Sequence, residues 1–254
     1  MTTHLAPLTL ITGGSRGLGR AMAIAVARQG HDVLLTYRNQ QAEAASVVAE
    51  IEALGRRAAA LPLDVGHSDT FDAFTAAVRA QLGAWGRERF DHLVNNAGMG
   101  VHAGFAETTR EQFDALVDVH FKGPFFLTQT LLPLIADGGR IVNISSGLAR
   151  FALPGYAAYA AMKGAMEVLT RYQAKELGAR GIAVNIIAPG AIETDFGGGA
   201  VRDNAQLNAF VAAQTALGRV GLPDDIGGAV AVLLSPGAGW VNAQRIEASG
   251  GMFV

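Results

Sequence analysis

"LTLITGGSRGLG", residues 8–19, runs from an apolar stretch into a glycine-rich turn and then directly into a helical segment. The next strand-like run, "DVLLTY" (32–37), follows that helix, so the segment reads as strand, turn, helix, strand. Gly13, Gly17 and Gly19 sit at the exit of the first strand, with spacing G-x-x-x-G-x-G. Glycines there allow a tight turn and close approach of backbone to a pyrophosphate, and the helix that follows aims its first amides at the same anion. A tight strand-to-helix connection alone would also use glycine. Position, after the first strand and before the first helix, is what points to a dinucleotide.

The same rhythm continues outward. Strand-like "LTLIT" (8–12), "DVLLTY" (32–37), "AAALPLD" (58–64), "HLVNN" (92–96), "RIVNIS" (140–145), "IAVNIIA" (182–188) and "QRIEA" (244–248) alternate with helical stretches at 17–30, 40–54, 68–82, 109–135, 156–178 and 223–235. Strands apolar throughout, not alternating, belong in a parallel sheet buried on both faces. The expected fold is α/β: a doubly wound parallel sheet with right-handed crossovers, in a single domain over 1–254.

Composition agrees. The chain has 254 residues, half of them apolar, and a net charge of −2, which suits one compact domain and gives no reason to expect nucleic acid. No cysteine is present, so disulfides and cysteine-based metal sites are excluded, and no metal is expected. No run is long and apolar enough to span a bilayer. The start, "MTTHLAPLTLITGG", has no cationic segment before its first strand. A signal peptide is therefore not expected, and the cytoplasm is.

The second strand ends in "LLTYRNQ". An NAD site places an acid there, on the ribose 2′-hydroxyl. This end has none, because Asp32 lies at the opposite end of the strand. Arg38 stands at the correct end and Arg16 inside the glycine turn. Two guanidiniums suit the 2′-phosphate of NADP.

"GYAAYAAMKGAME" (155–167) holds two tyrosines and a lysine. Residues four apart share a helix face, and Lys163 is four after Tyr159, whereas Ala160 is four after Tyr156. A phenol is a poor acid at neutral pH unless a cation sits beside it, so the pairing favours Tyr159.

Together these stretches resemble the short-chain dehydrogenase/reductase family, in its single-domain Rossmann branch. "TGGSRGLG" (12–19), "LDV" (63–65), "NNAG" (95–98), "ISS" followed by "YAAMK", and "PGAIET" (189–194) match its motifs in order, from about residue 8 to the "ASGG" near the C-terminus. The resemblance implies a catalytic serine thirteen residues before the tyrosine; from Tyr159 that count reaches Ser146, and from Tyr156 it reaches Asn143. It implies cofactor contacts from Gly13, Ser15, Arg16, Gly17, Leu18, Gly19 and Arg38, from Asp64 and Val65 at the adenine, and from Asn96, Ala97 and Gly98. It adds Tyr159 and Lys163, and Pro189, Gly190, Ile192 and Thr194 at the nicotinamide. The implied chemistry is carbonyl reduction: Tyr159 donates the proton, Ser146 bonds the developing oxyanion, and Lys163 lowers the tyrosine's pKa and holds the ribose. A homotetramer built through the helices at 109–135 and 156–178 is implied as well.

One position departs from the family. Where it usually has Asn, thought to hold a water that returns protons to the lysine, "LVDVHFKGPFF" has His120. An imidazole can bind water but also titrates, so a step in activity toward acid pH is expected. Packing is an equal alternative for this residue. The stretch 193–217, with three consecutive glycines at 197–199, stands where the family has its substrate lid. Pocket candidates are Met99, His102, Leu148, Phe151, Leu153, Tyr156 and Phe196, a largely apolar set that implies a small apolar carbonyl or alcohol substrate. A 3-oxoacyl-carrier-protein reductase is the second enzyme reading; it needs a basic patch, for which Arg150, Arg171, Arg180 and Arg202 are the candidates. A non-enzymatic cofactor-binding protein on this fold would be marked by loss of Ser, Tyr or Lys, and all three are present.

Overall fold

Among residues 5–254, which the computed structural model describes, the apolar runs form one sheet of seven parallel strands. The reading of the chain's start rests in part on residues 1–4, which lie outside those described. The strands are β1 (Leu8–Ile11), β2 (Asp32–Tyr37), β3 (Ala58–Pro62), β4 (Phe90–Asn95), β5 (Ile135–Ile144), β6 (Ala183–Pro189) and β7 (Arg245–Ala248), in the order β3-β2-β1-β4-β5-β6-β7. The helices are α1 (Gly17–Arg28), α2 (Gln41–Ala53), α3 (Phe71–Ala84), α4 (Arg110–Val117), α5 (Gly123–Leu131), α6 (Ala157–Leu177), the short α7 (Ala200–Asp203) and α8 (Ala205–Ala213), and α9 (Pro223–Leu234).

Both sheet faces are covered, as continuous apolar strands require. Met22 and Val26 of α1, Val47 and Ile51 of α2, and Ile226 and Val230 of α9 fill one side. Phe71, Phe74 and Leu82 of α3, with Leu127 and Leu131 of α5, fill the other. α1 and α9 pack closely because Gly227 has no side chain: a Cβ there would lie 2.7 Å from the Ala21 carbonyl oxygen. Strand order reverses between β1 and β4, so a crevice opens at their carboxyl ends, where ligands bind in open α/β sheets.

Two segments differ from the sequence reading. The helix expected over 109–135 is broken by a π-helical turn, Asp118–Lys122, and ends at Leu131 before a short 3-10 turn. At Gly123 the helix lies against the Val65 carbonyl so closely that a Cβ would come within 2.3 Å of its oxygen. Such π-turns mark functional sites in many helices, and this one carries His120. β5 starts at Ile135, earlier than expected, through a register shift between the Phe90–Ile135 and His92–Arg140 pairs. Gly138 (φ 76°) and Gly139 allow that shift; a Cβ on Gly139 would meet the Asp91 carbonyl oxygen at 2.5 Å.

Candidate active site

The glycine turn is held from both neighbouring strands. Thr12 Oγ1 accepts the amides of Asn96 and Ala97, each at 3.0 Å. Asn96 Nδ2 donates to the carbonyls of Thr12 (2.8 Å) and Gly13 (3.2 Å). Gly13 and Gly17 have φ of 66° and 52°, the left-handed region that glycine adopts freely. A Cβ on Gly19 would sit 2.0 Å from the Gly13 carbonyl oxygen. α1 then begins with no side-chain cap and no acid in its first turn, so its first amides stay available. Bare backbone, free helix amides and two nearby guanidiniums fit a dinucleotide's phosphates. Arg38 is exposed and has no ion-pair partner among the described residues. Arg16, also exposed, lies 3.9 Å from Asp195.

The other expected cofactor residues gather along the same crevice. Thr194 lies opposite Gly17, its Cβ 3.7 Å from where a Cβ on that glycine would be. Pro189 closes β6, Gly190 donates to the Ala248 carbonyl, and Ile192 bridges to Gly221. Asp64 accepts the Gly66 amide at 2.9 Å, and Val65 is buried beside it. Ser15 is buried in the turn, whereas Leu18 packs on the core. Ala97 and Gly98 follow β4, and Gly98 lies against the His120 ring.

α6 turns Tyr159, Lys163, Met166, Thr170 and Ala174 inward. Lys163 Nζ donates to the Ile144 carbonyl at 2.8 Å and lies 5.6 Å from the centre of the Tyr159 ring. Ser146 begins the 3-10 turn after β5, and its Oγ accepts the Leu148 amide at 3.2 Å. Tyr156 lies at the rim, edge-on to His102 with ring centres 4.9 Å apart. Ser145, next to Ser146, donates to Glu167 at 2.7 Å.

Burial dominates the electrostatics of this pair. Burial pushes the Tyr159 phenol up, a hydrogen bond from Ser146 pulls it down, and Tyr156 pushes it up; Lys163 is not among the causes. Tyr159 is therefore a fully protonated phenol at neutral pH. Burial instead acts on Lys163, lowering its pKa to about 7.

His120 is buried. Its Nε2 lies 2.7 Å from the Met99 carbonyl oxygen and 3.2 Å from the Met99 amide; the shorter contact marks Nε2–H as the donor. Its Nδ1 is then a bare acceptor, and it has no hydrogen-bond partner. The ring stands edge-on to Tyr159, centres 5.1 Å apart. First burial, then the Lys163 charge, depress its pKa to about 3. The imidazole stays neutral through the range in which an acid step was expected. A cavity of about 10 Å³ lies among Thr12, Asn95, His120 and Lys163, near the space one water needs. Asn95 Oδ1 is a second buried acceptor with no partner.

The pocket candidates divide. Phe196 lies on Tyr159 (ring centres 5.7 Å apart), the Met99 backbone meets His120, and His102 stands edge-on to Tyr156. Leu148 and Leu153 are half-buried. Phe151 packs instead on Phe253, with the C-terminal cluster around Val211 and Met252. The four arginines do not form a patch. Arg150 pairs with Glu247, Arg180 with Asp137 at the far end of β5, and Arg202 with Asp195 and Asp203; Arg171 turns back on its own helix. Among the described residues no group of acids and histidines is arranged to hold a metal ion, and no helix is long and apolar enough to cross a membrane. Two features escaped the sequence reading: the Asp195 link between Arg16 and Arg202, and the Ser145–Glu167–Arg245 chain behind Ser146. Both join residues far apart in sequence, and no local pattern marks them.

Residues 13–253 match the family model described as enoyl-(acyl carrier protein) reductase. A short-chain dehydrogenase/reductase, FrzI of Cladobotryum sp, is 38% identical over 96% of this chain and 94% of its own. The 3-oxoacyl-(acyl-carrier-protein) reductase FabG of Staphylococcus aureus is 35% identical over 96% and 97%. Among solved structures, the promiscuous reductase LugOII, which catalyses keto-reduction at C1 in lugdunomycin biosynthesis, superposes with a TM-score of 0.92 at 38% identity, covering 98% of both chains. The angucycline C-6 ketoreductase LanV with bound NADP gives 0.92 at 35% identity, over 97% of this chain and 95% of its own.

Proposed function

The chain belongs to the short-chain dehydrogenase/reductase family of oxidoreductases, and from that premise we propose that it reduces a ketone or aldehyde to an alcohol with NADPH, Tyr159 acting as general acid. The observation that carries this reading is a protonated, buried phenol next to Ser146 and Lys163, at the crevice where the sheet order reverses. Bound NADPH supplies the hydride that the carbonyl carbon receives. Tyr159 gives its proton to the oxygen as charge develops there, and Ser146 adds a hydrogen bond that strengthens with that charge. Lys163, as ammonium, favours the phenolate left behind. His120 Nδ1, Asn95 Oδ1 and the small cavity beside Lys163 support a one-water path by which the tyrosine is reprotonated.

The glycine turn would hold the pyrophosphate, Arg16 and Arg38 the 2′-phosphate, Asp64 and Val65 the adenine, and Pro189–Thr194 the nicotinamide. NADP bound in LanV supports that choice, as does the missing acid at the end of β2. Residues 193–217 act as the lid. A tetramer is part of the same reading: Phe113, Phe125 and Phe126 on α4 and α5, and Val168 and Tyr172 on α6, are large apolar side chains left exposed. Similarity to FabG favours the carrier-bound substrate as a second reading, but three of the four candidate arginines, Arg150, Arg180 and Arg202, are already held in ion pairs, which weighs against it.

A panel of ketones, aldehydes and a carrier-bound 3-oxoacyl thioester, each run with NADPH and NADH, decides between these readings. NADPH-dependent turnover of free ketones is expected. Salt-sensitive turnover confined to the carrier-bound substrate would favour the second reading, and no turnover at all would overturn both.

A further inference from the structure

Phe196 is a large apolar side chain left about half exposed, at 45%, yet its ring makes close contacts on two sides. Its ring lies 5.7 Å from that of Tyr159. It also rests on Gly100, where a Cβ would come within 3.1 Å of two ring carbons. Asp195, the residue before it, is tied to Arg202 at 2.5 Å and lies 3.9 Å from Arg16. After it come Gly197, Gly198 and Gly199, all left-handed, with φ of 62°, 75° and 77°. A second ring, His102, rests on backbone in the same way: a Cβ on Gly155 would meet its Nε2 at 2.3 Å. His102 is in turn edge-on to Tyr156. Tyr159 is therefore flanked by the Phe196 and His120 rings, which lie against bare glycine at 100 and 98.

Resting on the reductase reading, we propose that Phe196 is a specificity-determining aromatic wall and that the site takes planar, ring-fused aromatic ketones. Flat walls complement flat ligands, and aromatic pairs gain beyond the area they bury. Phe196 covers Tyr159 in the structure described here. It swings on the three glycines to admit the ketone and then stacks on the substrate's ring.

The test compares 1-tetralone, whose carbonyl is conjugated to a fused benzene ring, with cyclohexanone, which has no aromatic ring. It uses the wild type, Phe196→Leu, which keeps an apolar side chain without the π-face, and Phe196→Tyr, which keeps the face. Steady-state kcat/KM is read with NADPH, and saturation-transfer NMR reads contact with each ketone in the protein alone, without turnover. Phe196→Leu should lower the 1-tetralone to cyclohexanone ratio of kcat/KM by roughly 3- to 10-fold and weaken transfer to the tetralone aromatic protons. Phe196→Tyr should keep the ratio within about twofold. An unchanged ratio in Phe196→Leu, or an equal fall for both ketones, overturns the proposal, and so does absence of transfer to 1-tetralone in the wild type. Transfer that Phe196→Leu abolishes, in a protein that reduces neither ketone, would support the wall while defeating the reductase reading.

Discussion

Tyr159 and Tyr156 differ by one helical turn, and that turn decides their surroundings. The i to i+4 spacing to Lys163 was legible in sequence because a helix fixes which residues share a face. The charge state was not legible, because it depends on burial from all sides. Burial is the foremost cause acting on both groups, raising the Tyr159 phenol and lowering Lys163 to about 7. The rate of reduction should therefore fall as pH rises through about 7, where Lys163 loses the ammonium that favours the phenolate. His120, at about 3, should add no step between about pH 5 and 9. His120→Asn should keep both the rate and the profile, whereas His120→Ala, which offers no acceptor to a water, should lose roughly 10-fold or more in kcat. Profiles of kcat against pH for the three proteins, with melts to check folding, test this. Alanine equal to wild type at every pH would leave His120 a packing residue that ties Met99. At the cofactor end, Arg38→Asp should raise KM for NADPH and spare NADH, because it removes a phosphate partner and adds a repulsion. Equal kcat/KM for the two cofactors in the wild type would mean that the arginines do not read the phosphate.

At the scale of elements, the strands and most helices follow from apolar runs and glycine punctuation, within a few residues at their ends. The π-turn at Asp118–Lys122 was not legible, since the apolar pattern of 109–135 runs on without a break. It ends where the chain meets a contact distant in sequence, Gly123 against the Val65 carbonyl. The early start of β5 has a similar origin, a register shift that only pairing with β4 specifies. The segment 193–217 was legible as a glycine run but not as two short helices, whose order depends on Asn204 capping α8 and on Asn208 bonding Glu193 and the Val201 carbonyl. These bonds are few and half of them exposed, so amides over 193–215 should exchange fast in the free protein and slow when NADPH and a substrate analogue are both bound. Slow exchange in the free protein would remove the lid from the account.

For the whole molecule, stability and activity pull on the same buried groups. His31, just before β2, and His92, in β4, lie side by side with ring centres 5.3 Å apart. Burial foremost lowers both, His92 to about 3 with further repulsion from His31 and Arg140. Below a histidine's ordinary pKa near 6.5 the unfolded chain binds protons that the folded one refuses, so stability is full above that pH and falls as pH drops toward 3. His92→Leu should flatten that slope in denaturant titrations at pH 5 and 8. Lys163 works in the opposite range. Its folded pKa of about 7 lies below the 10.5 of a free lysine, so the cost of burying the ammonium is full below pH 7 and fades as pH rises toward 10. Lys163→Met should raise the Tm more at pH 6 than at pH 9 while abolishing turnover. The assignment of a ketone reductase to this fold rests most heavily on one phenol. The most direct measurement is kcat/KM for an NADPH-dependent ketone reduction in Tyr159→Phe and Tyr156→Phe, with NADPH binding followed separately by fluorescence. Tyr159→Phe should lose roughly 10²–10⁴-fold in rate with NADPH affinity kept, and Tyr156→Phe should retain most activity. An active Tyr159→Phe beside an inactive Tyr156→Phe would contradict the account.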